Sequence, residues 1–301
     1  MTTNLTHLKK YAWLSIAAAL ATIVIKTFAY KVTGSVGLLS DALESVVNLA
    51  AAAFALWILA VASRPPDEDH PFGHTKAEYF AGWVEGTLIL VAAVSIGWAA
   101  VQRLIHPQVL EKMGLGLFLC AVATLINLVV ARILLTVGKK YSSITLEADA
   151  YHLMTDVWTS AGVIVGVGLV AFTGWLPLDP IIALLVAVNI VWTGAGLVRR
   201  AVAGLMDAAL PDKEVKKVEN VLNGYKSEGI QFHALRTRQA GTRRFISIHI
   251  LVPGQWSVQK GHEMLEKIES GIRAVFQDAV VFTHLEPIED PISWDEDNPD
   301  R

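Results

Sequence analysis

Ser40–Asn48 reads S-D-A-L-E-S-V-V-N, and Ala148–Asp156 reads A-D-A-Y-H-L-M-T-D. Laid over each other, the two stretches set Asp41 against Asp149, Glu44 against His152 and Asn48 against Asp156, each inside a long apolar segment. Residues four apart in a helix lie one above the other on a single face. Glu44/Asn48 and His152/Asp156 would therefore each present two oxygen or nitrogen donors sideways, and two such helices facing each other would supply four ligands. That count and that donor chemistry suit tetrahedral binding of a small divalent transition metal. Asp41 and Asp149 fall one helical turn earlier, where they would line the approach or accept hydrogen bonds from the ligands. The plainer alternatives are a structural hydrogen-bonded pair for His152/Asp156 and, for Asn48, an amide bridge between helices.

The rest of the chain says where such helices sit. Of its 301 residues 53% are hydrophobic and only 18% charged, with a mean hydropathy of +0.45; this is the composition of a membrane protein. Six apolar segments, about 11–33, 36–62, 79–104, 114–137, 145–173 and 179–204, are each long enough to span a bilayer as a helix. Lys9/Lys10 precede the first segment, which is long for a signal peptide and has no evident cleavage site, so it is expected to be a retained span. Lys9/Lys10, Arg64/Lys76, Lys139/Lys140 and Arg199/Arg200 all fall on one side if six helices alternate, with Arg103 and Lys112 as exceptions. The positive-inside rule then places both termini in the cytoplasm, with lipid around the spans. The net charge of −3 gives no sign of a nucleic-acid partner. A single cysteine, Cys120, excludes a disulfide framework or a cysteine-based metal site, which leaves nine histidines to be weighed as ligands.

After the sixth segment the chain becomes mixed polar and apolar, with turn signals at Asn223-Gly224, Gly229, Gly241 and Pro253-Gly254. Lys213–Leu222 and Val258–Phe276 have helical spacing, whereas Gln231–Arg238, Phe245–Val252 and Ala279–Leu285 read as strands. The expected fold is thus an α-helical membrane protein with six transmembrane helices in 1–205, followed by a small α+β domain of order αββαβ, ferredoxin-like or metallochaperone-like, in 206–290. The acidic tail 291–301 is expected to be disordered. Two further groups hold metal-ligand residue types. Asp67, His70 and His74 are spaced by three and four in the loop R-P-P-D-E-D-H-P-F-G-H-T-K-A-E, residues 64–78, a spacing open to a metal site or to a solvated connection. His233, His249, His262, His284 and Glu286 are scattered over different predicted elements, and sequence distance says nothing of their proximity.

As a set, these features resemble the cation diffusion facilitator family over nearly the whole chain. The resemblance rests on six spans, the paired polar motifs in spans two and five, F-G-H-T-K-A-E at Phe72–Glu78, L-M-D-A-A-L-P-D at 205–212 and L-R-T-R-Q at 235–239. It implies a homodimeric exporter of a divalent transition metal in exchange for protons, in a bacterial inner membrane, and not an enzyme. It implies a transport site at Glu44, Asn48, His152 and Asp156, and a loop site at Asp67, His70 and His74. It further implies a cytoplasmic cluster at His233, His249, His262, His284 and Glu286 that helps hold the dimer, and a charge interlock at Lys76 and Asp207. No organic cofactor is implied; the metal would be substrate and also a structural or regulatory ligand. Zinc is expected first. However, Asn48 stands where many members carry Asp, and Glu286 where Asp is common. Fewer anionic ligands weaken zinc binding, and an amide oxygen is a harder donor that suits Fe2+ or Mn2+ comparatively well. Two rival readings remain: a metal-binding regulatory subunit without transport of its own, and a membrane-embedded metalloenzyme, which would need an open coordination position and a general base.

Overall fold

The computed structural model describes residues 3–33, 36–106 and 114–294. Six long helices come first: α1 Thr3–Thr33, α2 Val36–Ala62, α3 Ala77–Ile105, α4 Gly114–Tyr141, α5 Ile144–Thr173 and α6 Leu178–Leu205. Among the described residues, four of them are long and apolar enough to cross a membrane, over His7–Val32, Ala77–Ile105, Phe118–Tyr141 and Leu178–Leu205, and α2 adds a shorter apolar run, Asn48–Ala62. α2 and α5 are the helices that carry the paired polar motifs.

Burial along α1 shows how the helices pack. Leu8, Ala12, Ser15, Ala19, Thr22, Lys26 and Ala29, spaced alternately by four and three, are all buried, while Trp13, Leu20, Val24, Phe28 and Val32 are exposed. The large apolar side chains face outward, and the small and polar ones face the other helices. This is the arrangement that lipid favours, because hydrocarbon solvates leucine as well as a protein core does and penalises unpaired polar groups. The first two turns of α5 are buried on every side, from Ser143 to Ala150, and α5 packs against α2, α3 and α4. Close approach of α3 and α6 depends on glycine: a Cβ at Gly86 would come within 2.8 Å of the Val198 side chain and 3.3 Å of the Gly194 carbonyl.

The chain divides between Val202 and Ala203 into two compact units. The second contains α7 Asp212–Asn223, β1 Gln231–Ala240, β2 Arg243–Val252, α8 Val258–Val275 and β3 Ala279–Pro287, in the expected αββαβ order. β2 is central, antiparallel to β1 and parallel to β3. Alternate residues of a strand point to opposite faces. Ile246, Ile248 and Ile250 therefore form one buried row, packed with Val218 and Leu222 of α7 and Met264, Ile268 and Ile272 of α8. The opposite face of β2 is left for His249. Residues 295–301 of the expected acidic tail lie outside the described residues; Pro291–Trp294 form a 3-10 turn.

Candidate metal-binding sites

In the membrane unit, α2 and α5 bring Asn48, His152 and Asp156 together. His152 and Asp156 share one face of α5, and all three side chains are buried. Nε2 of His152 donates to Oδ1 of Asn48 at 2.6 Å, and Nδ2 of Asn48 donates to Oδ2 of Asp156 at 2.5 Å. The side chain of Glu44, like that of Asp41, lies outside the described residues. Asp149, one turn before His152, accepts a hydrogen bond from Oγ of Ser15 at 3.0 Å.

Two residues that the sequence reading did not single out complete this constellation. Nδ2 of Asn127, on α4, donates to Oδ2 of Asp156 at 3.1 Å. Nζ of Lys26, on α1, lies 3.7 Å from the same oxygen. Four helices thus meet at one carboxylate. A buried ammonium costs several kcal/mol unless it is paired, so a lysine on the inward face of α1 needs an anion, and Asp156 supplies it. The signal was present in the sequence: Lys26 interrupts the apolar run I-V-I-K-T-F-A, and an ionisable group at membrane depth is a functional candidate by default.

The loop group owes its shape to local turn chemistry. In H-P-F-G, residues 70–73, proline occupies the second turn position and glycine the fourth, and the N–H of Gly73 donates to the His70 carbonyl at 2.8 Å. The chain doubles back so that the His70 and His74 rings stand 4.4 Å apart. Nε2 of His74 lies 3.3 Å and Nδ1 of His70 3.2 Å from the Asp67 carboxylate. One ligand atom from each of the three falls within 4.8 Å of the others. The backbone N–H of His70, with smaller contributions from its ring and from the charges of both imidazoles, holds the Asp67 carboxyl below its ordinary value. Asp67 is therefore ionised at neutral pH and available to a cation.

In the C-terminal unit the sheet register assembles what the sequence scatters. His233 pairs with His249 across β1 and β2, and His249 pairs with His284 across β2 and β3. One row across three strands therefore carries three imidazoles. Glu286, two residues beyond His284, returns to the same face. His233, His249 and Glu286 place one ligand atom each within 4.8 Å of one another. Nε2 of His233 is 2.8 Å from Oε2 of Glu286. Nδ1 of His249 faces Oε1 of Glu286 at 3.3 Å without forming a hydrogen bond. Two imidazoles and a carboxylate fit a divalent transition metal. His284 stands at the rim, its side chain 65% exposed and Nε2 3.7 Å from Glu286. His262 is exposed on α8 and outside this triad.

Burial opposes ionisation of Glu286, but the hydrogen bond with His233 and the charges of the surrounding imidazoles outweigh it, so its carboxyl titrates below the usual value. Burial pushes His249 down, against the pull of Glu286 and with help from the other two histidines. A carboxylate kept charged beside an imidazole kept neutral is the protonation state that metal binding needs. A break in register between His233 and Arg236, with Ala234 at φ +48, interrupts β1 just after His233.

Of the two residues expected in a charge interlock, Lys76 immediately precedes α3. Asp207, at φ +57, accepts a hydrogen bond from Nη1 of Arg238 at 2.9 Å within the C-terminal unit. Arg103, an exception to the charge asymmetry, pairs with Asp179 of α6 at 3.2 Å; Lys112 is outside the described residues.

Residues 12–206 match the model of the cation efflux transmembrane domain, and residues 210–288 that of the cation efflux protein cytoplasmic domain. The chain is 53% identical over 286 residues to an uncharacterised transporter of Synechocystis sp., sll1263, covering 95% of this chain and 92% of that protein. It is 31% identical over 272 residues to the cation-efflux pump FieF of Klebsiella pneumoniae, with 90% of each covered. A solved metal-bound C-terminal domain of the CzcD transporter from Thermotoga maritima is 26% identical, covering 27% of this chain and 99% of that one, with a TM-score of 0.25. The two family models and the FieF relative identify a transporter of divalent metal cations rather than an enzyme, and the chain belongs to the cation diffusion facilitator family.

Proposed function

We propose that this protein is a homodimeric, proton-coupled exporter that moves a divalent transition metal out of the cytoplasm across the inner membrane, with both termini cytoplasmic. The observation that carries this reading is the buried row His152, Asn48 and Asp156, where α2 and α5 present nitrogen and oxygen donors to one another inside the membrane unit. With Glu44 from α2 they make the transport site. Metal enters from the cytoplasm and replaces the hydrogen bonds these groups make among themselves. Rocking of the spans then exposes the site to the far side. Protons arriving there compete for the same lone pairs, since an imidazole ordinarily titrates near neutral pH and a ligand must be deprotonated to bind. The inward proton gradient gives the cycle its direction.

The functional parts follow the chain: a transport domain over 1–205, a metal-binding and dimerising domain over 206–290, and an acidic tail over 291–301. The loop group at Asp67, His70 and His74 collects metal near the membrane. The cluster at His233, His249 and Glu286, joined by His284 and His262, holds a resident ion that favours the transport-ready dimer, because a ligand stabilises the state it prefers. Lys76 and Asp207 lock the dimer by charge. Zinc suits the imidazole ligands best, while the Asn48 oxygen widens the range toward Fe2+ and Mn2+.

The test is flux into proteoliposomes containing a metal-sensing dye, with zinc, ferrous iron and manganese offered in turn under an imposed pH gradient. Uptake that rises with the gradient and stops when an ionophore collapses it is the expected result. Uptake indifferent to the gradient overturns proton coupling.

A further inference from the structure

Lys26 is not among the ligands, yet it lies against the transport site. It sits on the buried stripe of α1 between Thr22 and Ala29, only 1% exposed, with Nζ 3.7 Å from Oδ2 of Asp156. That oxygen already accepts from Asn48 at 2.5 Å and from Asn127 at 3.1 Å. Three nitrogen groups thus surround one carboxylate oxygen, and one of them carries a full positive charge. A divalent ion bound through the same oxygen would lie about 2.0–2.2 Å from it. An ammonium remaining at its present distance would then face a double positive charge at a few ångströms, in surroundings that screen charge poorly. The two cations cannot both hold this oxygen.

We infer that Lys26 is the built-in counter-cation of the transport site, holding Asp156 through its ammonium while no metal is present and yielding that oxygen when a divalent ion arrives. This inference rests on Asp156 being a metal-site carboxylate. The lysine keeps its proton throughout; what changes is which cation the carboxylate faces. Two consequences follow. A monovalent ion gains little by replacing an ammonium already in place, so the site favours double charge. Metal is also held less tightly than its ligands alone would hold it, as transport requires of a site that must release its ion. In this protein Asn48 supplies a neutral amide, so among the described side chains of the constellation Asp156 is the anionic group for which both cations compete.

The experiment is a calorimetric titration of Zn2+ into the full-length protein in detergent. The parent carries Asp67→Ala, His249→Ala and Glu286→Ala, so that the transmembrane site dominates the signal. Lys26→Met, which preserves side-chain length, and Lys26→Gln are compared with it. Removing the competing charge is expected to tighten zinc binding about tenfold or more and to slow saturating flux, whereas Lys26→Arg keeps near-parental affinity. A residue with a merely structural role gives the opposite sign. Zinc binding that is unchanged or weaker in folded Lys26→Met and Lys26→Gln overturns the inference, as does failure of both neutral variants to fold while Lys26→Arg folds. Asp156→Ala in the same parent separates the two levels: if zinc binding survives that change, the transport-site assignment itself is wrong.

Discussion

At the scale of single residues, the proposed transport site holds its donors in hydrogen bonds to one another, which an arriving cation would have to replace. Nδ2 of Asn48 stands 2.5 Å from Oδ2 of Asp156, so Asn48→Asp would set two carboxylates against each other. Without metal, that repulsion and the lost hydrogen bond are expected to lower stability by about 1–3 kcal/mol, read as a lower melting temperature. With metal, the added charge should tighten zinc binding. A variant that is both more stable without metal and weaker in binding it would contradict the geometry described here. His152 and Asp156 were legible in the sequence because two polar groups four apart in an apolar run admit few other readings. Lys26 and Asn127 were not singled out, because neither has a His, Asp, Glu or Asn three or four positions away on its helix, so periodicity alone gives it no partner. Only the packing of α1 and α4 against α2 and α5 does that.

At the scale of elements, the six helices and the αββαβ order could be read from hydropathy and alternation, and the observed boundaries lie within a few residues of those expected except at the start of α1. The histidine cluster could not. His233, His249 and His284 meet because strand register aligns them, and register is a property of pairing that spacing along one chain does not encode. Close helix packing is similarly particular. Gly86→Leu would drive a side chain into Val198 and the Gly194 backbone, so α3 and α6 should separate; loss of monodisperse protein in detergent is expected, with Gly86→Ala milder. In the C-terminal unit, α7 is tied to β2 by Glu214 and Arg244, whose paired contacts measure 2.8 and 3.0 Å. The hydrogen bond from Arg244 holds the Glu214 carboxyl below its usual 4.5, against burial. A carboxyl depressed on folding contributes stability that is complete above the unfolded value and is lost as pH falls through the folded one. Glu214→Gln should therefore cost stability at pH 7, under about 1 kcal/mol because water still screens a partly exposed pair. The difference from wild type should shrink as pH falls below 4.5, through the range set by the depressed carboxyl. A constant difference across that range in chemical denaturation would contradict the assignment.

At the scale of the whole molecule, the membrane unit and the C-terminal unit each carry metal-ligand geometry, and only the first has its donors buried among apolar spans. The central claim is that metal crosses through the meeting point of α2 and α5. The most direct measurement is zinc flux into dye-loaded proteoliposomes under a fixed pH gradient, comparing wild type with Asp156→Ala reconstituted at equal density. The account predicts that Asp156→Ala lowers the initial rate at least about a hundredfold, since the lost carboxylate is the shared partner of Asn48, Asn127 and Lys26. Flux within a factor of about two of wild type, from folded protein, would contradict it, because removing a ligand of this kind ordinarily costs at least tenfold.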